Sequence, residues 1–237
     1  MSAARVRIFG AGVRARIAVD LVDWYYRDRA VVEGYYDDRL AAGAAGPGGL
    51  PILGSVADGL RAVPGSGCLT FVALGTRACA RAWQTLSALR RQRVGVLSLV
   101  SPAAHVSPSA RLGANALVMP GVVLGAAVRV GDLLCAHGGA VVEHDSEVGD
   151  AVLLGPGVAL AGHVSIGSGS FLGVGVKVMP GVRVGRGVML GAGAVVVRDI
   201  PDHVVAYGCP AVPVRPVRAG DQVAAPEELP AAATPAG

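Results

Sequence analysis

His144 stands directly before Asp145, and His163 follows Asp145 by eighteen residues. Imidazole changes protonation near neutral pH and so suits proton transfer. A neighbouring carboxylate can orient the ring and stabilise its charged form, as the acid of a catalytic triad does. His137, seven residues before His144, is placed to contact a substrate of such a base. Ser146 has a histidine close by, as an activated nucleophile would, but it falls on an inward position of the pattern described next and reads as packing. A metal site built from His137, His144 and His163 lacks acidic residues at a supporting spacing, so no metal is expected.

What must position these residues is a six-residue beat. From Val106, steps of six land on Leu112, Val118, Leu124, Val130, Ala136, Val142, Val148, Leu154, Leu160, Ile166, Leu172, Val178, Val184, Leu190 and Val196. All but Ala136 are large aliphatics, and none is charged. Glycine often follows directly, as at Gly113, Gly131, Gly149 and Gly167. A small or β-branched residue stands four places on, as at Ala110, Val128, Ser146 and Ser170.

A hexapeptide repeat held in one phase predicts a left-handed parallel β-helix. Each hexad supplies a short strand and a corner, and three hexads close a triangular coil of about eighteen residues. The aliphatic points inward, backbone hydrogen bonds run between coils at roughly 4.8 Å, and the glycines are expected to permit the corners. Hairpins would alternate with period two instead. In this register Val142 faces the core, His144 and Asp145 take outward corner positions, and His163 stands one coil beyond Asp145.

Residues 1–98 have a different texture. Arg5 to Gly12 reads as a strand running into a glycine turn, and Val13 to Arg29 as a helix with Ile17, Leu21 and Trp24 on its apolar face. Val31 to Tyr36 reads as a second strand, ending in Asp37 and Asp38. Ala41 to Pro51 reads as a loop. Cys68 to Leu74 is a third strand, Thr76 to Arg91 a helix and Val94 to Leu99 a fourth strand. This alternation predicts a small Rossmann-like α/β domain with a parallel sheet. Ligands of such sheets bind beyond the carboxyl ends of the strands, which selects Gly10, Gly12, Arg14, Asp37, Asp38, Gly75, Thr76 and Arg77. Ala15 stands where the dinucleotide fingerprint has its third glycine, so a nicotinamide cofactor is unsupported.

The fold class is therefore mixed: the α/β domain over 1–98, the β-helix over 99–206, and a tail over 207–237, partly disordered. Composition agrees. Of 237 residues, 52% are apolar but only 4% aromatic, while 35 are glycine, which suits thin stacked layers. The net charge of +4, without a basic run interleaved with aromatics, excludes a nucleic-acid reading. The cysteines form no C-x-x-C pair. Ala151 to Val176 is uncharged and long enough for a membrane span, but its glycines and its six-residue beat reject that reading. With no secretory signal pattern at Arg5 and Arg7, a cytoplasmic location is expected.

Ser107-Pro-Ser-Ala110, Val118-Met-Pro-Gly-Val122, Val142-Glu-His-Asp145 and Gly208-Cys-Pro-Ala211, behind a Rossmann-like domain, resemble the NeuD/PglD family of bacterial sugar O- and N-acyltransferases. The resemblance covers residues 5 to about 217 and is strongest in the β-helix. It implies a homotrimer with sites in the grooves between β-helices, acetyl-CoA as donor, and a sugar or nucleotide-sugar acceptor. It implies His144 and Asp145 as the catalytic pair; His137, one coil face earlier, is placed to contact the acceptor or the thioester. Acyl transfer from a thioester needs such a base to deprotonate the acceptor. Gly162, Val174 and Ala192 correspond to family-like backbone contacts to coenzyme A, and Lys177 supplies charge for its phosphates. Where the family has glycine-histidine-glycine after the first strand, this chain has Val13-Arg14-Ala15. Thr76-Arg77 replaces the family's pair of asparagines. These departures imply an acceptor other than a standard UDP-sugar, or one that is not nucleotide-linked. A non-catalytic scaffold with a nucleotide-sensing domain and a metal-dependent β-helix enzyme are the alternatives.

Overall fold

The computed structural model describes residues 3–75, 79–218 and 220–221. Thr76, Arg77 and residues 222–237 of the expected tail lie outside the described residues. The chain divides into two compact units, Met1–Ser101 and Pro102–Gly237.

In the first unit, β1 (Ala4–Phe9), β2 (Ala30–Tyr36), β3 (Ile52–Gly54) and β4 (Leu69–Val72) form one sheet in the order β3-β2-β1-β4. All the pairings are parallel. The centre of the sheet is apolar, with Val6, Ile8, Phe9, Tyr35 and Phe71 buried. Tyr35 donates its hydroxyl hydrogen bond to the Pro47 carbonyl at 2.7 Å, and burial pushes its phenol up to about 12. α1 (Val13–Leu21) runs into a π-helical turn, Val22–Tyr26. That turn holds an extra residue, which swings position 24 off the buried side. Trp24 is therefore 70% exposed instead of lying on the apolar face, which is made by Ala15, Ala18, Val19, Leu21 and Val22.

α2 (Val56–Ala62), absent from the sequence reading, is nucleated by a capping box between Ser55 and Asp58. Gly59 lets α2 lie on the Phe9–Tyr36 pair, since a Cβ there would sit 2.5 Å from the Tyr36 ring. α3 is described over Cys79–Arg91. The expected fourth strand at Val94 to Leu99 is reduced to a single bridge, Thr70 to Val96, and a two-residue strand, Leu99–Val100.

The second unit is the left-handed β-helix. Its two-residue strands stack in register at intervals of one coil: Val142 beside Leu160, Leu160 beside Val178, Val178 beside Val196. Positions four places after the aliphatics are also buried, including Val128, Val158 and Val164, and Ser146 and Ser170 stand at such positions. Ser146 Oγ donates to the Ala161 carbonyl at 3.0 Å and accepts from Val164 N–H at 3.1 Å, which makes it a buried structural link between coils.

The glycines after the aliphatics serve another purpose than the one expected. The left-handed backbone lies two places later, at Gly121, Gly139, Asp145, Gly157 and His163 among others. The earlier glycines give room for the next coil. A Cβ on Gly167 would lie 2.5 Å from the carbonyl carbon of Gly185. On one corner this room is filled by a side-chain ladder. Asp132 accepts from Ala114 N–H at 2.7 Å, Asp150 from Asp132 N–H at 2.7 Å, and Ser168 Oγ from Asp150 N–H at 3.0 Å.

Residues 207–216, expected as the start of the tail, are ordered. The strands Val204–Gly208 and Ala211–Pro216 pair antiparallel, and Arg215 holds Asp221 through two hydrogen bonds of 2.8 and 2.9 Å.

Candidate active site

The corner after Val142 and the equivalent corner one coil on, after Leu160, expose three side chains that converge. Val142 is fully buried, and so is Ser146 on the far side of the corner. The chain between them must turn outward, and Asp145 takes the left-handed conformation at φ 57°. His163 takes it at φ 60° on the next coil, and its N–H donates to the His144 carbonyl at 3.0 Å. The backbone rung therefore fixes the three residues relative to one another.

His144 Nδ1 lies 2.9 Å from Asp145 Oδ2. In the tautomer where Nδ1–H donates to that carboxylate, Nε2 carries the free lone pair. His163 Nε2 lies 4.0 Å from the same Asp145 oxygen, and its ring meets that of His144 edge-on, centroids 5.2 Å apart. The three side chains are 50–68% exposed. Asp145 thus hydrogen-bonds His144 and has His163 one coil away, the proximity that a step of eighteen anticipates. One ligand atom from each of the three residues falls within 4.8 Å of the others. Asp145, rather than His137, is the residue that stands with His144 and His163 in this cluster. His137 lies a hexad earlier, with Nε2 3.6 Å from Cys135 Sγ.

Gly162 lies directly against the His144 ring. A Cβ there would sit 2.6 Å from His144 Cε1 and 2.7 Å from Nε2. Gly162 shares the His144 corner, whereas Val174 and Ala192 share another, linked by the rungs Gly175 N–H to Pro156 O and Gly193 N–H to Val174 O. Val174 is 57% exposed, and Ala192 and Lys177 are exposed as well. The residues assigned to coenzyme A therefore lie on separate columns of one chain.

In the first unit, those of the selected residues that are described lie at the carboxyl ends of β1, β2 and β4. Asp37 is buried and accepts from Ala11 N–H at 2.8 Å and Arg39 N–H at 2.9 Å. Asp38 accepts from Val56 N–H at 3.0 Å and pairs with Arg81. Arg14 donates to the Leu74 carbonyl at 3.0 Å, and Gly10 is packed against Ala73 and Leu74. Gly12 caps α1, and Gly75 is exposed. Arg39 and Arg81 were not anticipated; neither lies on a glycine turn, the signal that selected the others.

A β-helix of hexapeptide coils with a histidine–carboxylate pair on an outward corner defines the class of hexapeptide-repeat acyltransferases. Residues 163–198 match the bacterial transferase hexapeptide family (six repeats). No curated protein matches the chain. Among solved structures, PerB from Caulobacter crescentus, in complex with CoA and GDP-perosamine, is 36% identical with a TM-score of 0.80, over 89% of this chain and 97% of that one. The acetyltransferase domain of PglB from Neisseria gonorrhoeae, in complex with acetyl coenzyme A, is 29% identical with a TM-score of 0.81, over 90% and 100%. WeeI from Acinetobacter baumannii shares the fold at 23% identity, with a TM-score of 0.74 over 89% and 100%. The chain belongs to the NeuD/PglD-type sugar acyltransferase family. No helix among the described residues is long and apolar enough to cross a membrane.

Proposed function

We propose that the protein transfers the acetyl group of acetyl-CoA to the amine of a nucleotide-linked amino sugar, with His144 as general base and Asp145 as its orienter. A sugar hydroxyl is the alternative acceptor. The observation that carries the reading is the 2.9 Å contact between His144 Nδ1 and Asp145 Oδ2. With Nδ1–H donating to Asp145, Nε2 carries the lone pair, on a chain that is 36% identical to PerB, whose structure holds CoA and GDP-perosamine. The acceptor nitrogen attacks the thioester carbonyl, and a C–N bond forms as C–S breaks. The nitrogen's proton goes to His144 Nε2, and the sulfur leaves as thiolate and is then protonated. Asp145 stabilises the imidazolium formed in between.

The separation of Val174 and Ala192 from the His144 corner supports a homotrimer in which one subunit's corner faces its neighbour's coils. The pantetheine would run along the exposed Val174–Ala192 column, with Lys177 near the phosphates. The nucleotide would bind at the Asp37–Asp38 edge of the first unit, where Gly10, Gly12, Arg14 and Gly75 converge. Thr76 and Arg77 belong to the same proposal, as does His137 for the acceptor.

The test is steady-state acetyl transfer to GDP- and UDP-linked amino sugars by the wild type and His144→Ala. The variant should lose roughly 10²–10⁴ in kcat while circular dichroism reports an intact β-helix. Near-normal turnover in an intact variant removes His144 from the mechanism.

A further inference from the structure

We propose that His144, Asp145 and His163 form a binding site for a divalent transition-metal ion of the zinc type, and that the bound ion switches off the base. Metal binding stands on geometry alone; the inhibition rests on the proposed function.

Two imidazoles and one carboxylate suit zinc, copper or nickel far better than magnesium or calcium, which take oxygen ligands. Zinc–nitrogen bonds of about 2.0–2.1 Å require ligand atoms roughly 3.3 Å apart in a tetrahedron. The contacts to Asp145 Oδ2, at 2.9 Å from His144 and 4.0 Å from His163, bracket that spacing. Small rotations of half-exposed side chains close the difference. Much of the preorganisation is already in the backbone. Asp145 and His163 share the left-handed conformation on adjacent coils, and the 3.0 Å rung from His163 N–H to the His144 carbonyl sets their separation. Solvent supplies the remaining ligand.

The consequence for the base does not depend on which ring nitrogen binds. A metal on His144 Nε2 occupies the lone pair directly. A metal on Nδ1 displaces the proton to Nε2, which then donates and cannot accept. Either way the imidazole no longer takes a proton from the acceptor.

The full chain, stripped with EDTA and carrying Cys209→Ser to remove an exposed thiol, is titrated calorimetrically with zinc chloride and, separately, with magnesium chloride. We expect one zinc per chain and no magnesium binding. His163→Gln and Asp145→Asn should each weaken zinc binding at least about tenfold, since each removes one of three protein ligands. Zinc binding unchanged in His163→Gln, or absent from the parent, overturns the site. Acetyl transfer is then measured with and without zinc. Inhibition of the parent, reversed by EDTA and diminished in His163→Gln, supports the switch. Zinc binding without loss of transfer overturns the switch but leaves the site. If no transfer is found at all, the titration still decides the site, so failure of the function and failure of the site are distinguishable.

Discussion

Gly162 and His144 are in contact across one coil step: a Cβ on Gly162 would lie 2.6 Å from Cε1 of the His144 ring. The absence of a side chain at 162 is what lets the imidazole lie across the corner. Gly162→Ala should push the ring outward while leaving the buried columns untouched. Since misplacing a reacting group by about 1 Å costs on the order of 10² in rate, kcat should fall by that order with little change in melting temperature. Steady-state kinetics beside thermal denaturation checks both halves.

Asp145→Asn separates charge from conformation. Asparagine tolerates the left-handed backbone that Asp145 adopts, so the corner should persist. What is lost is the carboxylate that faces His144 and His163. Turnover should drop on the order of 10² or more, and Asp145→Ala should lose both turnover and thermal stability. A fully active Asp145→Asn would remove the carboxylate from the mechanism.

Two glycines ten residues apart in the β-helix test the two reasons glycine occurs there. At Gly167 a Cβ meets the backbone of Gly185 and Arg186 at 2.5–2.6 Å. Gly167→Ala should therefore cost about 1–3 kcal/mol through overpacking. Gly157 has φ +67° and nothing within 4 Å. Gly157→Ala should cost about 1 kcal/mol from the backbone alone, and Gly157→Asn less. Denaturant titrations of the three variants give the ordering.

Tyr35 gives the first unit an alkaline limit. Burial raises its phenol from the usual 10 to about 12, so the folded state holds this proton more tightly than the unfolded chain. The associated stability is fully present below pH 10 and is lost as pH rises through about 12. The wild type should lose stability over that window more steeply than Tyr35→Phe, in which nothing ionises at this position. Urea unfolding of both proteins at intervals across the window measures the difference.

The β-helix was legible because Val142, Leu160 and Val178 obey a period that only stacked hexads require. Counting by eighteen also placed His163 beside Asp145, since register in a coil is set by sequence spacing alone. The first unit was less legible. Trp24 has the helical spacing of a core residue, but the π-helical turn that exposes it has no signature in residue types. The short strand Ile52–Gly54 lies against a segment rich in glycine and proline, and the Ser55–Asp58 capping box opens a helix of only seven residues, too short to show a period. The glycine spacing was visible, but its cause was not. Whether Gly167 relieves torsion or makes room for another coil depends on what lies above it, and a single hexad does not contain that information.

The ladder on the third corner gives the coils an order of completion. The amide of Asp132 finds its acceptor in Asp150, that of Asp150 in Ser168, and that of Arg186 in Asp202 at 2.8 Å. Each acceptor is translated after the donor it satisfies, about one turn of the coil later. A β-helix cut short after any of these donors leaves that amide without its acceptor, so this corner is complete only where the following coil is present.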